Sequence, residues 1–252
     1  MAKYLYLFWS LIFFAVWLVL FMHRRDLRYE IIYVSILFGF GGLVSQTTNI
    51  IDWWRPLNVL GTSVSVEDFI IGFSIGGIAA VIYEEIYRKR FRKRRIKIKD
   101  PGNPVIFILS FSLLYLFLYY VLQMGSFYSS ILAYLISLAY ILSVRTDLFA
   151  DSIFSGLFML FIGSAIYYLL ISIYPTFIKD FWYLREAWYT RLYFGVPLGE
   201  YIWFFFTGAF IGPLYEFVNK RKLIWQVVSF LIIYTYLIDF NLDKSAAGGL
   251  VS

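Results

Sequence analysis

Two rows of acidic residues stand at the edges of apolar segments in this sequence. The first row comprises Glu67, Asp68 and Glu200, and the second comprises Glu84, Glu85 and Glu216. A carboxylate inside a membrane is costly, so acids in such positions are the first candidates for chemistry. Asp68 and Glu84 are separated by a helical length of about 24 Å, so the two rows cannot form one site.

The first row suits acid–base chemistry on a hydrocarbon. A carboxyl group in aromatic, water-poor surroundings keeps its proton to a higher pH and can act as a general acid. Aromatic faces stabilise a carbocation, and a second carboxylate can take a proton back. The predicted catalytic residues are Glu200, Asp68 and Glu67, and the residues predicted to line the substrate are Trp53, Trp54, Trp182, Trp203 and Phe205. Such a site would isomerise a polyene without a redox cofactor.

Each row also has a purely structural explanation. Ser65 followed by Asp68 has the spacing of a capping box, and Pro197 before Glu200 is typical of a helix start. In the second row, three i,i+4 ion pairs are expected, namely Glu84–Arg88, Glu85–Lys89 and Glu216–Lys220. Capping and ion pairing therefore remain open as the only roles of these acids.

The apolar segments themselves indicate a polytopic all-α integral membrane protein. The chain of 252 residues is 61% hydrophobic and only 15% charged, less charged than soluble domains. Its apolar runs have the length that crosses about 30 Å of hydrocarbon. Eight spans are predicted, at residues 4–22, 31–51, 68–87, 104–123, 127–144, 150–174, 196–218 and 223–240.

The basic residues predict an orientation in the cell membrane. Of the 22 Lys and Arg residues, 16 fall in the loops after spans one, three, five and seven. Basic loops stay in the cytoplasm, so both termini are expected to be extracytoplasmic. The basic loop at residues 88–99 is also a candidate site for anionic lipid. Membrane topology explains the net positive charge, so no nucleic-acid partner is predicted.

The Trp-rich loops after spans two and six are expected to lie flat at the outer interface.

Several kinds of site are excluded by composition. The sequence has no cysteine, which removes disulfides, thiolate catalysis and iron–sulfur clusters. His23 is the only histidine, so a multi-histidine metal site within one chain is excluded. No nucleotide-binding glycine motif is present. No cofactor and no metal site are therefore predicted.

An internal repeat is visible when the sequence is aligned with itself at a fixed offset. Residues 64–86 align without gaps with residues 196–218, and the aligned pairs include Gly76/Gly208, Tyr83/Tyr215, Glu84/Glu216 and Asp68/Glu200. The same offset is expected to map the first three spans onto spans five to seven. Two parallel three-helix repeats then need a linker helix between them, and a ligand site is expected where the repeats meet. The predicted divisions are a first repeat at 1–100, the linker at 101–126, a second repeat at 127–222, a C-terminal helix at 223–244, and a tail or cloning remnant at 245–252.

These features resemble the membrane-embedded lycopene cyclases, in their heterodimeric bacterial and their fused archaeal and fungal forms. In that family, each three-helix unit carries a Pro-Leu-Glu-Glu-like motif that opens its last helix, after a loop bearing Trp and Asp. The corresponding stretches here are Ser65-Val66-Glu67-Asp68-Phe69 after Asp52-Trp53-Trp54, and Pro197-Leu198-Gly199-Glu200-Tyr201 after Asp180-Phe181-Trp182. The resemblance covers roughly residues 1–220. The first copy lacks the proline, and the second has Gly199 where a Glu is expected.

The resemblance implies protonation of a terminal double bond of lycopene or a related isoprenoid, ring closure through a carbocation, and proton loss. It gives Glu67, Asp68 and Glu200 the acid–base role. Two other functions stay open. One is a transporter of three-plus-one-plus-three type, although the Pro-Gln motif of sugar-efflux carriers has no counterpart here. The other is a non-catalytic isoprenoid-binding or assembly protein. The sequence makes no prediction of the oligomeric state.

Overall fold

A computed structural model describes residues 2–87, 90–92, 104–219 and 222–224. The described residues are mostly helical. Among the described residues, six helical segments are long and apolar enough to cross a membrane, namely Leu5–His23, Arg28–Asp52, Val66–Ile86, Ser126–Val144, Thr146–Ile173 and Leu198–Val218. The protein is therefore a multi-pass membrane protein.

The described helices follow the chain in the order α1 Leu5–His23, α2 Arg28–Asp52, α3 Val66–Ile86, α4 Pro104–Leu116, α5 Ser126–Val144, α6 Phe149–Ile173, α7 Phe177–Phe181, α8 Leu198–Ile211 and α9 Leu214–Val218. A π-helical turn, Phe117–Val121, extends α4. The seventh predicted span is divided at Pro213, between the end of α8 and the start of α9. Proline has no N–H for the helical ladder and clashes with the preceding turn, so the helix breaks there.

Six of the eight predicted spans coincide with the long helical segments. The fourth coincides with α4 and its π-helical turn, and its apolar part, Ile106–Val121, is shorter than the other six. The eighth, residues 223–240, lies almost wholly outside the described residues. Its first two residues belong to a short strand, β4 Lys222–Ile224, which pairs antiparallel with β1 Arg90–Arg92. A second small hairpin joins β2 Leu192–Tyr193 to β3 Val196–Pro197. Its turn has positive φ at Phe194 and Gly195, as tight hairpins require.

The third helix of each half has the most extensive packing. Helix α3 packs on α1 and α2, and α8 packs on α5 and α6. Glycines make these contacts close. A Cβ on Gly72 would collide with the Phe38 carbonyl of α2, and one on Gly208 would lie 2.5 Å from the Ser155 carbonyl of α6. Small residues at four-residue spacing in the sequence, Gly72, Gly76 and Ala80 and then Gly208 and Gly212, predict close helix packing, and these contacts confirm it for Gly72 and Gly208.

The predicted single offset does not align the starts of all three helix pairs. Helices α1 and α2 begin at Leu5 and Arg28, and α5 and α6 begin at Ser126 and Phe149. The number of residues from the start of α1 to the start of α5 equals the number from α2 to α6. It is smaller than the number of residues from the start of α3 to the start of α8. The extra residues of the second half lie in the connection between α6 and α8, which contains α7 and the β2–β3 hairpin. Apolar helices contain few distinctive residues, so the insertion could not be located from the matches in the third helix alone.

The connections gather into two opposite ends. At one end, which we call the aromatic end, Trp54 in the connection after α2 forms a backbone bridge with Trp182 in the connection after α7. At the same end, Tyr6 at the start of α1 contacts Asp68 at the start of α3. At the acidic end, Glu84 of α3, Asp151 of α6 and Glu216 of α9 converge. The two acidic rows are therefore on opposite ends of the bundle, as their spacing predicted.

Candidate functional site

A cavity of about 440 Å³ opens below the aromatic end and is lined by side chains from helices α1 to α6 and from α8. Pockets for small ligands commonly enclose roughly 300–1,000 Å³. The two carboxylates predicted to share a site, Asp68 and Glu200, both line it. They come from the first turns of α3 and α8, so the packing of these two helices with their neighbours brings them to one chamber.

Glu200 is buried and accepts three hydrogen bonds from aromatic side chains. The Nε1–H groups of Trp53 and Trp182 donate to its Oε1 at 2.7 and 2.8 Å. The hydroxyl of Tyr167 donates to Oε2 at 2.7 Å. Burying a carboxylate requires this kind of compensation, because unpaired it would lose its hydration without replacement. The donors come from both Trp-rich loops and from α6, so Glu200 connects three parts of the aromatic end.

Asp68 is held in an equivalent but simpler way. The Tyr6 hydroxyl donates to its Oδ1 at 2.5 Å. The backbone N–H and the hydroxyl of Ser65 donate to its Oδ2 at 2.6 and 3.0 Å. The capping box predicted from the sequence is thus present, and it fixes Oδ2. The other oxygen, Oδ1, is on the side of Tyr6, which also lines the cavity.

Aromatic rings lie between the Tyr6–Asp68 pair and the Tyr167–Glu200 pair, and together they form an aromatic cage. The ring of Tyr6 meets Trp54 edge to face at 4.9 Å, and Trp54 lies 5.1 Å from Trp182. The ring centroid of Trp9 lies 5.3 Å from that of Trp54 and 5.5 Å from that of Tyr167. All of these rings line the cavity. A positive charge formed among them would face the negative faces of aromatic rings.

The Trp-rich loops do not lie flat at an interface, as the sequence analysis expected. Trp53, Trp54 and Trp182 are all buried under the aromatic end. The two loops are tied together by backbone hydrogen bonds, from Arg55 N–H to the Phe181 carbonyl and from Tyr183 N–H to the Trp53 carbonyl. The indole rings of Trp53 and Trp182 fold inward because Glu200 offers a buried acceptor for their N–H groups. The sequence had placed these rings beside a substrate, but it gave no indication that a buried carboxylate accepts their N–H groups.

Two predicted site residues lie away from this chamber. Glu67 is buried, but it does not line the cavity, and its Oε1 accepts the Val59 backbone N–H at 2.9 Å. It precedes Asp68 directly on α3, so it points about 100° away from Asp68. Phe205 packs against Gly156 of α6 and also does not line the cavity. The remaining predicted lining residues, Trp53, Trp54, Trp182 and Trp203, do line it.

The cavity extends to the lipid-facing side of the bundle between α2 and α4. Phe40 and Val44 of α2 are exposed on the outside of the bundle, and both also line the cavity. On the opposite wall are Ile108 and Ser112 of α4, which are half-buried. A hydrogen bond between the Thr48 and Tyr115 hydroxyls joins the same two helices nearer the aromatic end. The opening thus faces the region that lipid chains would occupy.

Sequence reasoning missed four residues of the chamber. Tyr6 and Tyr167 orient the carboxylates, Trp9 lies at the centre of the cage, and Gln46 places a buried amide on the cavity wall. A usable signal existed for two of them, because Tyr167 and Gln46 are polar groups well inside predicted spans, where polar side chains are costly. Tyr6 and Trp9 stand among many aromatics of the first span, and nothing in their spacing distinguishes them.

The second acidic row has contacts that the sequence did not predict, and the i,i+4 pairs stay predictions. Glu85 lies 3.4 Å from both His23 and Arg24, so it pairs with the α1–α2 connection. Glu84 and Glu216 are fully buried and face Asp151 of α6. The predicted basic partners Arg88, Lys89 and Lys220 lie outside the described residues.

Comparison of the chain with protein-family models, curated proteins and solved structures finds no match. The resemblance to lycopene cyclases therefore rests on the short motifs around Asp68 and Glu200 alone, and it stays a prediction.

Proposed function

We propose that this protein is a membrane-embedded, redox-neutral isomerase that cyclises a linear carotenoid or related isoprenoid by acid–base catalysis. One observation carries the proposal: two buried carboxylates from different helices, Asp68 and Glu200, line one aromatic cavity that reaches the lipid-facing side of the bundle. The lycopene cyclases that the motifs resemble would use acids at these positions for this reaction.

The proposed reaction conserves the atoms of the substrate. One carboxyl group adds its proton to a terminal carbon–carbon double bond, which leaves a carbocation. The π electrons of a second double bond in the same chain form the new ring bond to that cation. Loss of a C–H proton to the other carboxylate restores a double bond, and the product is an isomer of the substrate. Neither an electron acceptor nor a nucleotide is consumed.

The protein groups at the site match these steps. Tyr167 and Tyr6 each orient one carboxylate through a hydrogen bond of 2.7 and 2.5 Å, so each acid has a defined geometry. The rings of Trp9, Trp54 and Trp182 surround the space between the two pairs, where the carbocation would form. General acid–base catalysis typically contributes about 10²–10⁴-fold to a rate. The aromatic faces would contribute further by cation–π attraction.

The lateral opening supports a lipid-soluble substrate. A long polyene partitions into the hydrocarbon of the membrane, so its route to a buried site leads through the side of the bundle. Phe40 and Val44 are exposed on that side of the bundle, and both also line the cavity. A cavity of about 440 Å³ would hold the end group that reacts, and the rest of the chain would extend between α2 and α4 toward lipid.

We further propose that the fold is a parallel repeat of two three-helix units joined by α4, in the cell membrane, with both termini extracytoplasmic. Several features recur in both halves. Arg24 donates to Asp26 after α1, and Arg145 donates to Asp147 at the equivalent place after α5. Asp68 and Glu200 each open the third helix and each accept a tyrosine hydroxyl. Such a repeat places equivalent residues at the same depth around a shared site.

The experiment that tests the function is expression in a bacterium that accumulates lycopene, followed by pigment analysis. The wild-type chain should convert lycopene into a cyclic isomer. Glu200→Gln should lower the yield of product by at least about 100-fold, the lower range for a lost general acid or base. Glu186→Gln makes the same chemical change on an exposed loop residue and should leave the yield unchanged. If no pigment changes with the wild-type chain present, lycopene is not a substrate; if Glu200→Gln retains full yield, the assigned acid is wrong.

A second candidate function is non-catalytic binding of an isoprenoid. The observation that favours it is the saturation of Glu200, whose two oxygens already accept three donors of the protein itself. A carboxylate held in this way could serve only to fasten the Trp-rich loops. The two functions differ in outcome, because a binding protein would retain the linear pigment after purification and leave it chemically unchanged.

A further inference from the structure

The acidic end contains a cluster that the proposed isomerase does not use. Glu84 lies near the end of α3, Asp151 in the first turn of α6, and Glu216 in α9. One carboxylate oxygen of each lies within 4.8 Å of the other two. All three side chains are almost fully buried, at 0 or 1% exposure. The cluster and the aromatic cavity are at opposite ends of α3, so the two sites are separate.

Glu84 is the decisive member of this cluster. Its side chain is fully buried, and within the described parts of the chain neither of its carboxylate oxygens has a hydrogen-bond partner. A carboxylate left this way loses its hydration and gains nothing in return, which is rare in folded proteins. Its oxygens face those of Asp151 and Glu216. The arrangement therefore points to a ligand at the centre of the three carboxylates.

The spacing of the oxygens selects the class of ligand. Mg²⁺ and Ca²⁺ bind oxygen at about 2.0–2.6 Å, so two oxygens on one ion are at most about 5 Å apart. Oxygens within 4.8 Å of one another can thus share one ion with small adjustments. Carboxylates are the protein ligands that hard divalent cations prefer. A cation at this point would also offset the negative charge that the buried carboxylates share.

Two arginines near the cluster each donate to acceptors outside the three carboxylates. Arg24 donates to Asp26 at 3.0 Å and to Glu85 at 3.4 Å. Arg145 donates to Asp147 at 2.8 Å, and its contact with Glu216 is to the backbone carbonyl, at 3.3 Å. Ser155 donates to one oxygen of Asp151 at 3.1 Å, which orients that carboxylate. These contacts leave the face of Glu84 toward the other two acids without a direct donor among the residues described.

We propose that Glu84, Asp151 and Glu216 bind one hard divalent cation, such as Mg²⁺, Mn²⁺ or Ca²⁺, at the acidic end of the bundle. The ion would join the ends of α3, α6 and α9, and so fasten the two halves of the protein to each other. It takes no part in the chemistry proposed at the aromatic cavity. The single histidine excludes a multi-histidine metal site, but these three carboxylates come from separate helices and meet only in the folded protein.

The probe for this site is Mn²⁺, followed by electron paramagnetic resonance. The full chain is purified in a non-ionic detergent, because anionic lipids would themselves bind the ion. The wild-type protein should bind one Mn²⁺ per chain, and added Mg²⁺ or Ca²⁺ should displace it. Glu84→Gln should weaken binding by at least about tenfold, as expected for the loss of a ligand or of a group that supports one. Glu85→Gln, the neighbouring residue that pairs with Arg24, is the matched control and should bind as the wild type does.

Several results would overturn the proposal. Wild-type protein that binds no Mn²⁺ at millimolar concentration would mean that protons or basic side chains compensate the cluster. Equal weakening by Glu84→Gln and Glu85→Gln would place the ion elsewhere. Should Glu84→Gln prevent folding, Glu216→Gln provides the same comparison, and the wild-type titration alone still decides whether an ion binds. None of these measurements depends on isomerase activity, so the site and the proposed function can fail independently.

Discussion

Replacement of Glu200 tests the hydrogen-bond network that shapes the aromatic chamber. Glu200→Leu removes the acceptor of the Trp53, Trp182 and Tyr167 donors, all of which are buried. Each buried donor left unpaired costs about 1–3 kcal/mol, so the loss of stability should reach roughly 2–6 kcal/mol even if one donor finds a new partner. Glu200→Gln should cost only about 1 kcal/mol, because its carbonyl oxygen can accept both indoles and its amide can donate to Tyr167.

The assay is reversible unfolding in sodium dodecyl sulfate, followed by tryptophan fluorescence. Glu200→Gln should unfold close to the wild type with similar emission. Glu200→Leu should unfold at clearly lower detergent concentration, and its native emission should shift to the red as Trp53 and Trp182 gain contact with water. If the stabilities of Glu200→Leu and Glu200→Gln differ by less than about 1 kcal/mol, which is the net value of a single hydrogen bond, the network around Glu200 does not hold the loops.

The remaining predictions concern packing, topology and cofactor use. Gly42→Ala should destabilise the protein by about 1–3 kcal/mol through overpacking, since its Cβ would collide with the Asp68 carbonyl, whereas Gly41→Ala meets no atom within 4 Å and should be tolerated in thermal unfolding. Reporter fusions after residues 28, 99, 145 and 222 should report a cytoplasmic location, and fusions near 55, 125 and 185 an extracytoplasmic one; inversion at two or more sites would contradict the proposed orientation. Isomerase activity should survive extensive dialysis and need no added flavin or nicotinamide, and a strict nucleotide requirement would contradict the proposed chemistry.

Much of the helical architecture is predictable from the sequence because lipid imposes simple rules. A span needs about 20 apolar residues, so six long helices were located within a few residues of their ends. Small residues such as Gly72 and Gly208 predicted close helix contacts for the same kind of reason, since only they allow backbones to touch. Both rules act locally, on a single segment of chain.

The direction of the Trp-rich loops was not predictable in this way. Tryptophan near the end of a span is common at the headgroup region, and the sequence offered no sign that Trp53 and Trp182 share a buried acceptor. Their convergence on Glu200 depends on two loops that are far apart in the sequence. The capping box of Ser65 and Asp68, by contrast, is local and was predicted correctly.

The contacts at the acidic end also join segments that are far apart in the sequence, so they could not be predicted from local patterns. The spacing of Glu84 and Arg88 allowed an i,i+4 ion pair, which is a local interpretation of a charged helix end. Arg88 lies outside the described residues, but the structure also brings Glu84 to Asp151 and Glu216, which come much later in the chain. Asp151 had no role in the sequence analysis, because one acid at the start of a helix is ordinary. Only the packing of α3 against α6 shows what these residues form together.

The most direct test of the central claim is conversion of a linear carotenoid by the purified protein in heavy water. The protein is placed in lipid nanodiscs with lycopene in D₂O. The products are then separated, and their masses are measured by mass spectrometry. Acid-catalysed ring closure adds one deuteron and releases one proton for each ring. A cyclic product one mass unit heavier per ring than the isomer formed in ordinary water is predicted, with Glu200→Gln forming almost none. Unchanged lycopene, or a product whose mass shows oxidation, reduction or cleavage, would contradict the account.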